Sequence, residues 1–310
     1  MKIYKDIKEI SISNPVLAMG TFDGLHKGHR HVLDQLKATA DKEGGESVVL
    51  TFWPHPQMVL GKGDIKLLNA IEEKIALFEQ NGIKHLILLN FDNELAQQTY
   101  DNFVQEILVG QIGIKHLVFG YDHRFGHKGE GTFNNLKPLA KKHKFTLHQL
   151  HEVRAGHAIS STRIRTALTH GHVAEAAKML GYNYQITGNI VHGQQLGRKI
   201  GFPTANIEVT CPYKLIPHVG VYACIADLGT KQWPTMMNIG YKPTVQNKNE
   251  LFIEAHLIDF KGNIYDEQLT ITFIRKIRDE VKFNSLKELS AQLGRDKQAT
   301  IQMLKQDELL

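Results

Sequence analysis

Short apolar runs alternate with amphipathic stretches through the first half of the chain. Positions 16–19, 47–52, 85–91, 116–119 and 146–150 read as strands, most of them nearly continuous in apolar residues, as strands buried on both faces are. Between them 29–43, 71–81, 100–109 and 134–144 carry helical periodicity, and 71–81 ends on Asn81-Gly82. This alternation predicts an α/β unit built on a doubly wound parallel sheet, in which ligands bind beyond the carboxyl ends of the strands. Two further helices, 161–169 and 173–180, close this part. Past Gly181 the rhythm changes. Positions 184–191, 220–227, 232–239, 251–258 and 269–277 read as strands punctuated by glycine and proline, with no long helix among them. Antiparallel pairing into a small barrel follows. From Ser285 the pattern is helical again: Ser285 and Glu288 have capping-box spacing, and Leu286, Leu289 and Leu293 share one face. The boundary falls near Gly181–Tyr184, giving domains 1–183 and 184–310.

Composition narrows the function. A chain of 310 residues with 42% hydrophobic and 22% charged residues is long enough for two domains and excludes disordered, collagen-like and coiled-coil classes. The net charge of +5 forms no basic tail or stripe and suits small anionic substrates better than nucleic acid. The N-terminus is charged and lacks the apolar core of a secretory leader, and no apolar run is long enough to span a membrane. Cys211 and Cys224, the two cysteines, have no CxxC spacing, so neither a disulfide framework nor a thiolate zinc site is expected. A cytoplasmic protein without nucleic-acid or membrane partners is expected; a weak homo-oligomer is compatible with the sequence. There are 17 histidines, and only His26, His29 and His55 stand in contexts that point to chemistry.

The first strand runs directly into Gly20-Thr-Phe22-Asp23-Gly24-Leu-His26-Lys-Gly28-His29. The glycines allow tight turning and close approach to a ligand, and the following helix aims its free N–H groups at the same place, a ready anion site. His26 and His29, three apart at a helix start, project together and can donate hydrogen bonds to phosphate oxygens as charge develops.

The H-x-G-H string in a strand–loop–helix setting resembles the nucleotidylyltransferase superfamily, with its Rossmann-like sheet. The fuller GTFDGLHKGH is similar to the adenylyltransferase module of prokaryotic bifunctional FAD synthetases (riboflavin kinase/FMN adenylyltransferase). The resemblance implies nucleotide binding by Gly20, Phe22, Asp23 and Gly28. Further along, Ile159-Ser160-Ser161-Thr162-Arg163-Ile164-Arg165 opens a helix whose hydroxyls can cap it. The two arginines diverge by about 160°; the family parallel favours Ser161, Thr162 and Arg165 at the triphosphate, with Arg163 as second choice. In Phe119-Gly-Tyr-Asp122-His123-Arg-Phe125-Gly126, Asp122 can bind a polar group and Phe125 can stack on the flavin ring; the family usually carries an aromatic where His123 stands. The Pro54-His55-Pro56 turn also matches, with His55 beside the flavin or in a purely structural turn.

Neither GxxxxGK[ST] nor GxGxxG occurs. Instead the chain carries Gly188 to Asn206, with His192-Gly193 and Gly197-Arg198-Lys-Ile-Gly-Phe202-Pro203-Thr204-Ala205-Asn206. Its glycines form a flap, and Thr204 and Asn206 point to one side if extended. A hydroxyl and an amide oxygen suit a magnesium ion that keeps several waters. The string GRKIGFPTAN resembles the riboflavin kinase signature, in which this threonine and asparagine hold Mg-ATP; Gly197 and Arg198 fall to the nucleotide and Gly193 to the flavin. Glu254 lies mid-strand in an apolar run, where a carboxylate is costly unless used or paired. It is the candidate base for the riboflavin 5′-hydroxyl; the competing reading is an outward-facing glutamate on a face shared with Phe252 and His256. Asn238, Arg278 and Glu280 match the module and are expected to line the flavin site. Asp266 stands where the family commonly has glycine, which predicts a changed loop.

The resemblance spans about residues 14 to 305 and implies a bifunctional enzyme with His26, His29, Arg165 and Glu254 as catalytic residues, ATP, riboflavin and FMN as substrates, FAD as product and Mg²⁺ as cofactor. Three other readings stay open: a member of this architecture with one site kept only for binding, an H-x-G-H adenylyltransferase acting on another phosphate, and a flavin-responsive regulator.

Overall fold

A computed structural model describes residues 1–61, 65–120, 123–150, 159–192, 197, 200–229, 231–243 and 249–309. Val16, Leu17 and Ala18 are wholly buried, and the strand they form, β2 (Pro15–Met19), follows the edge strand β1 (Lys2–Tyr4) in the chain and lies centrally in a six-stranded sheet. Helix α1 (Lys27–Lys42), β3 (Glu46–Trp53), the short α2 (Pro56–Val59), α3 (Ile71–Gln80) and β4 (His85–Asn90) come next. Two short helices, α4 (Asn93–Gln97) and α5 (Tyr100–Asn102), lead into a π-helical stretch, Phe103–Gln111. Then come β5 (His116–Phe119), α6 (Phe133–His143) and β6 (Thr146–Gln149). The strand order is β1-β4-β3-β2-β5-β6, parallel throughout. The order reverses between β2 and β5, where a doubly wound sheet opens its crevice. One face buries Val16, Ala18 and Val49 with Leu33, Leu36 and Ala40 of α1; the other buries Leu17, Met19 and Leu50 with Phe103, Val104 and Leu108.

The expected helix over 100–109 is corrected in kind. Past Asn102 its turns widen, so that Ile112 N–H reaches back five residues to the Ile107 carbonyl, at 2.9 Å. Compact packing divides the chain between Ser160 and Ser161. The helices α7 (Ser161–Thr169) and α8 (Val173–Leu180) therefore fold within the second unit, where α8 packs on a barrel strand and His218 N–H donates to the Leu168 carbonyl.

The second unit is a closed antiparallel barrel: β7 (Gln185–Val191), β8 (Ala205–Val209), β9 (Gly220–Asp227), β10 (Gln232–Pro243), β11 (Asn249–Leu257) and β12 (Gln268–Arg278), in the order β10-β11-β8-β7-β12-β9. Helix α9 (Leu286–Gln306) packs on β9, β10 and β12. Ser285 caps it, its Oγ accepting from Glu288 N–H at 3.2 Å. The predicted apolar face is corrected at one position: Leu286 is 52% exposed, and the buried line runs through Asp296, Thr300 and Leu304. Asp266 adopts φ +65°, the left-handed region that glycine favours.

Two candidate active sites

A cleft of about 890 Å³ opens at the carboxyl ends of β2 and β5, lined by Gly20, Thr21, Phe22, His29, His123 and Phe125 among others. The loop before α1 is tightly wound: Gly24 has φ +84°, and Phe22 and Leu25, both buried, also take positive φ. Such strain in non-glycine residues persists only where packing over-determines it; Phe22 is wedged against Phe78 and His29. His26 caps α1, its Nδ1 accepting from His29 N–H at 3.3 Å. The two imidazoles stack with centroids 3.7 Å apart. A Cβ at Gly28 would come within 3.2 Å of the His26 ring. Burial brings the His26 pKa down to about 4, against the Asp23 charge that raises it. His29 is held well below the ordinary imidazole range by burial first, then by His26, Lys74 and His123. Both rings are therefore neutral near pH 7, and His29 Nδ1 is buried without a hydrogen-bond partner among the described residues.

Asp23, predicted to bind nucleotide, uses its buried carboxylate to accept from the Leu68 and Asn69 N–H groups at 3.0 and 3.4 Å. His55 is buried as the cap of α2, its Nδ1 accepting from Gln57 N–H at 3.2 Å; Pro56 beside it lines the cleft. His123 sets its ring edge-on to Phe119 with centroids 5.0 Å apart, an imidazole in an aromatic's place. Asp122 lies outside the described residues. In α7 of the second unit, Arg163 is exposed and Arg165 half-buried on either side of the buried Ile164. Sequence reasoning missed Lys74. Its buried ammonium donates to the Thr21 carbonyl at 2.9 Å, beside the Thr51 hydroxyl that donates to the same oxygen at 3.3 Å. The signal was present: Lys74 falls on the buried stripe of α3 with Phe78.

A second cavity, of about 290 Å³, lies between the outer wall of the barrel and α9, lined by Gly197, Thr204, Asn238, Glu254, Arg278 and Leu293 among others, with Glu280 at its edge. Glu254 shares with Phe252 and His256 the outer wall of the barrel, opposite the buried Ile253, Ala255 and Leu257, as the outward-facing reading has it; that wall is covered, and all three side chains line the cavity. The ladders place Glu254 opposite Asn206 on one side and Asn238 on the other. Thr204 Oγ1 lies 3.5 Å from Glu254 Oε2. Asn238 Oδ1 is buried without a hydrogen-bond partner among the described residues. A Cβ at Gly197 would collide with the Phe202 carbonyl, and one at Gly240 with the Glu280 carboxylate. Arg278 is forked onto Asp296, with Nη2 2.7 Å and Nε 3.1 Å from Oδ2. Gly193 and Arg198 lie outside the described residues.

Among the described residues no group of three or more His, Cys, Asp or Glu could hold a metal. The oxygens that converge here, a threonine hydroxyl, an asparagine amide and a glutamate, are hard donors too few for a full cage. That set fits a magnesium ion that keeps waters and shares phosphate oxygens.

An FAD synthetase family model matches residues 8–163 and a riboflavin kinase family model matches residues 180–304. A bifunctional riboflavin kinase/FMN adenylyltransferase from Listeria monocytogenes is 38% identical, covering 93% of this chain and 91% of its own length. One from Bacillus subtilis is also 38% identical, over 92% and 91%. A solved structure described as a macrolide-efflux protein from Streptococcus pneumoniae superposes with a TM-score of 0.87 at 30% identity, covering 96% of this chain and 97% of that one. Among the described residues no helix is long and apolar enough to cross a membrane. Both family models occur in the same order as the two units, and relatives above 30% identity span nine-tenths of the chain, so the chain belongs to the bifunctional riboflavin kinase/FMN adenylyltransferase family.

Proposed function

We propose that the chain makes FMN and then FAD, with functional domains 1–183 and 184–310. The barrel transfers the γ-phosphoryl group of ATP to riboflavin: the 5′-oxygen bonds to phosphorus, ADP leaves, and Glu254 takes the hydroxyl proton. The N-terminal domain joins AMP to FMN: a phosphate oxygen of FMN attacks the α-phosphorus of a second ATP and pyrophosphate leaves. That nucleophile is already anionic, so positioning and charge stabilisation suffice. His26 and His29, neutral in the folded chain, serve there as N–H donors, and Gly20, Phe22 and Gly28 let the phosphates approach the loop. The resemblance assigns the triphosphate to Ser161, Thr162 and Arg165, and the isoalloxazine to Phe125. In the barrel Asn238, Arg278 and Glu280 hold the flavin. Thr204 and Asn206 would hold magnesium, which supplies neutralisation of phosphate charge. A cytoplasmic location fits these substrates.

The observation that carries this reading is Glu254 within 3.5 Å of the Thr204 hydroxyl in one small cavity, with Asn206 as its ladder partner on the neighbouring strand. Chromatography of riboflavin incubated with the purified full chain and ATP, with and without magnesium, tests it. FMN should appear first, then FAD with pyrophosphate, and neither without the metal. Accumulation of FMN alone would indicate a member with one working site. Unchanged riboflavin that is nonetheless bound would indicate a flavin-responsive regulator.

A further inference from the structure

His256 takes no part in the chemistry above. It lies two residues past Glu254 on β11, so the two side chains share a face, and both line the barrel cavity. The β8–β11 ladder is only two pairs long, Glu254 with Asn206 and Ala255 with Ala205. Just ahead of β8 stands Pro203, which has no N–H to donate to a neighbouring strand. A side chain acts where the ladder stops: His256 Nδ1 lies 2.7 Å from the Pro203 carbonyl oxygen. A carbonyl only accepts, so Nδ1 carries the proton. Burial holds the ring below the ordinary imidazole range, against the Pro203 bond that raises it. Phe202 meets the imidazole edge-on with centroids 5.4 Å apart, and Phe202 N–H closes back onto the Gly197 carbonyl at 2.9 Å. The imidazole thus holds Phe202 and Pro203 immediately before Thr204.

We propose that His256 is a positioning residue for phosphoryl transfer, its Nδ1–H holding the Pro203 carbonyl so that Thr204 stands at its working distance from Glu254. This rests on the barrel being the kinase. The nucleotide side of the cavity should feel the loss of His256 more than the flavin side, because the bond acts on the strand approach that carries Thr204.

Amide side chains separate the two ring nitrogens: the asparagine amide occupies the place of Nδ1, the glutamine amide that of Nε2. His256→Leu should raise the KM for Mg-ATP in FMN formation about tenfold, the scale of one buried hydrogen bond. The KM for riboflavin should stay within about twofold. His256→Asn should recover Mg-ATP use to within about threefold of wild type, and His256→Gln should not. FAD formation from supplied FMN by the same full-length preparations should be unaltered. If the leucine variant fails to fold, the asparagine–glutamine pair still decides. Rescue by glutamine and not asparagine would overturn the proposal, since the ring would then act through Nε2. Equal behaviour of the two amides, or a leucine variant with wild-type kinetics, would overturn it as well. Calorimetric binding of Mg-ADP should follow the same order of variants without turnover. Mg-ADP binding that follows that order across the variants, with no FMN formed even by the wild type, would therefore refute the kinase reading and leave standing the placement of Thr204 by His256.

Discussion

Asp296→Asn removes one negative charge from α9 and almost nothing else. The wild-type carboxylate is 1% exposed. It receives three contacts from Arg278 between 2.7 and 3.1 Å and a fourth from Gln292 Nε2 at 2.8 Å. The variant keeps one acceptor oxygen but strands the Arg278 guanidinium, which retains its 2.9 Å bond to the Asp279 carbonyl. Breaking a buried ion pair from one side costs about 3–5 kcal/mol. The arginine side chain is 20% exposed and keeps that carbonyl, which lowers the figure to about 2–3 kcal/mol. In a unit of this size each kcal/mol moves the midpoint by about 2–4 °C, so the barrel transition should fall by about 4–12 °C. Loss of FMN-forming activity on heating the full chain reads that transition, and loss of FAD formation from supplied FMN reads the other unit as a control. Replacing both partners with apolar residues, Arg278→Met with Asp296→Leu, should restore most of the lost stability while leaving flavin binding impaired, because Arg278 lines the cavity. A midpoint for Asp296→Asn within about 2 °C of wild type would refute the reasoning.

His29→Ala should lower kcat for FAD formation by about 10²–10³, the scale of one lost donor to developing charge, with riboflavin phosphorylation untouched; an unchanged adenylylation rate removes the role. Glu254→Gln keeps the shape and loses basicity, so FMN formation should slow by about 10² or more while FAD formation from supplied FMN continues. Near-normal kinase rates would mean that another group accepts the proton. The His26 pKa of about 4 against an unfolded value of 6.5 fixes the sign of a pH effect. Between those values the unfolded chain binds a proton that the folded one refuses. Stability of the N-terminal unit should therefore be intact above pH 6.5 and fall by about 3 kcal/mol as pH drops toward 4. Denaturant midpoints at pH 7 and 4.5 measure this, and a His26→Gln variant with the same pH slope would contradict it.

The elements that bury both faces were the legible ones. Runs such as Val16–Leu17–Ala18 admit no other reading, and the five long barrel strands stood out between their glycines and prolines. β8 escaped notice because Ala205–Val209 is short and half polar. The π-helical stretch escaped because a turn widened to five residues leaves the apolar content of 103–111 unchanged. Amphipathic helices report which face is buried and not what covers it, so the pattern of α7 and α8 does not announce that they pack in the unit of the barrel. The phosphate loop and the Thr204–Asn206 pair were legible because their residues are close in sequence. Lys74 and the partners of Asp23 lie 45 to 53 positions from the groups they hold, and Arg278 meets Asp296 across 18. No local spacing announces such contacts.

Strand order also sets a timetable for synthesis. β7, the first barrel strand to leave the ribosome, pairs with β12, the last, through partners such as Gln185 and Thr272. The barrel is incomplete until the last strand has been made, and its seam waits for nearly the whole length of the second unit. The parallel sheet, by contrast, has all six strands in hand by Gln149. Domains generally fold as units, the N-terminal one first. A nascent chain stalled near residue 250 should therefore carry a finished sheet and a kinase half whose β7 still lacks its β12 partner, and the C-terminal half is the part that depends on protection from aggregation while it is being made.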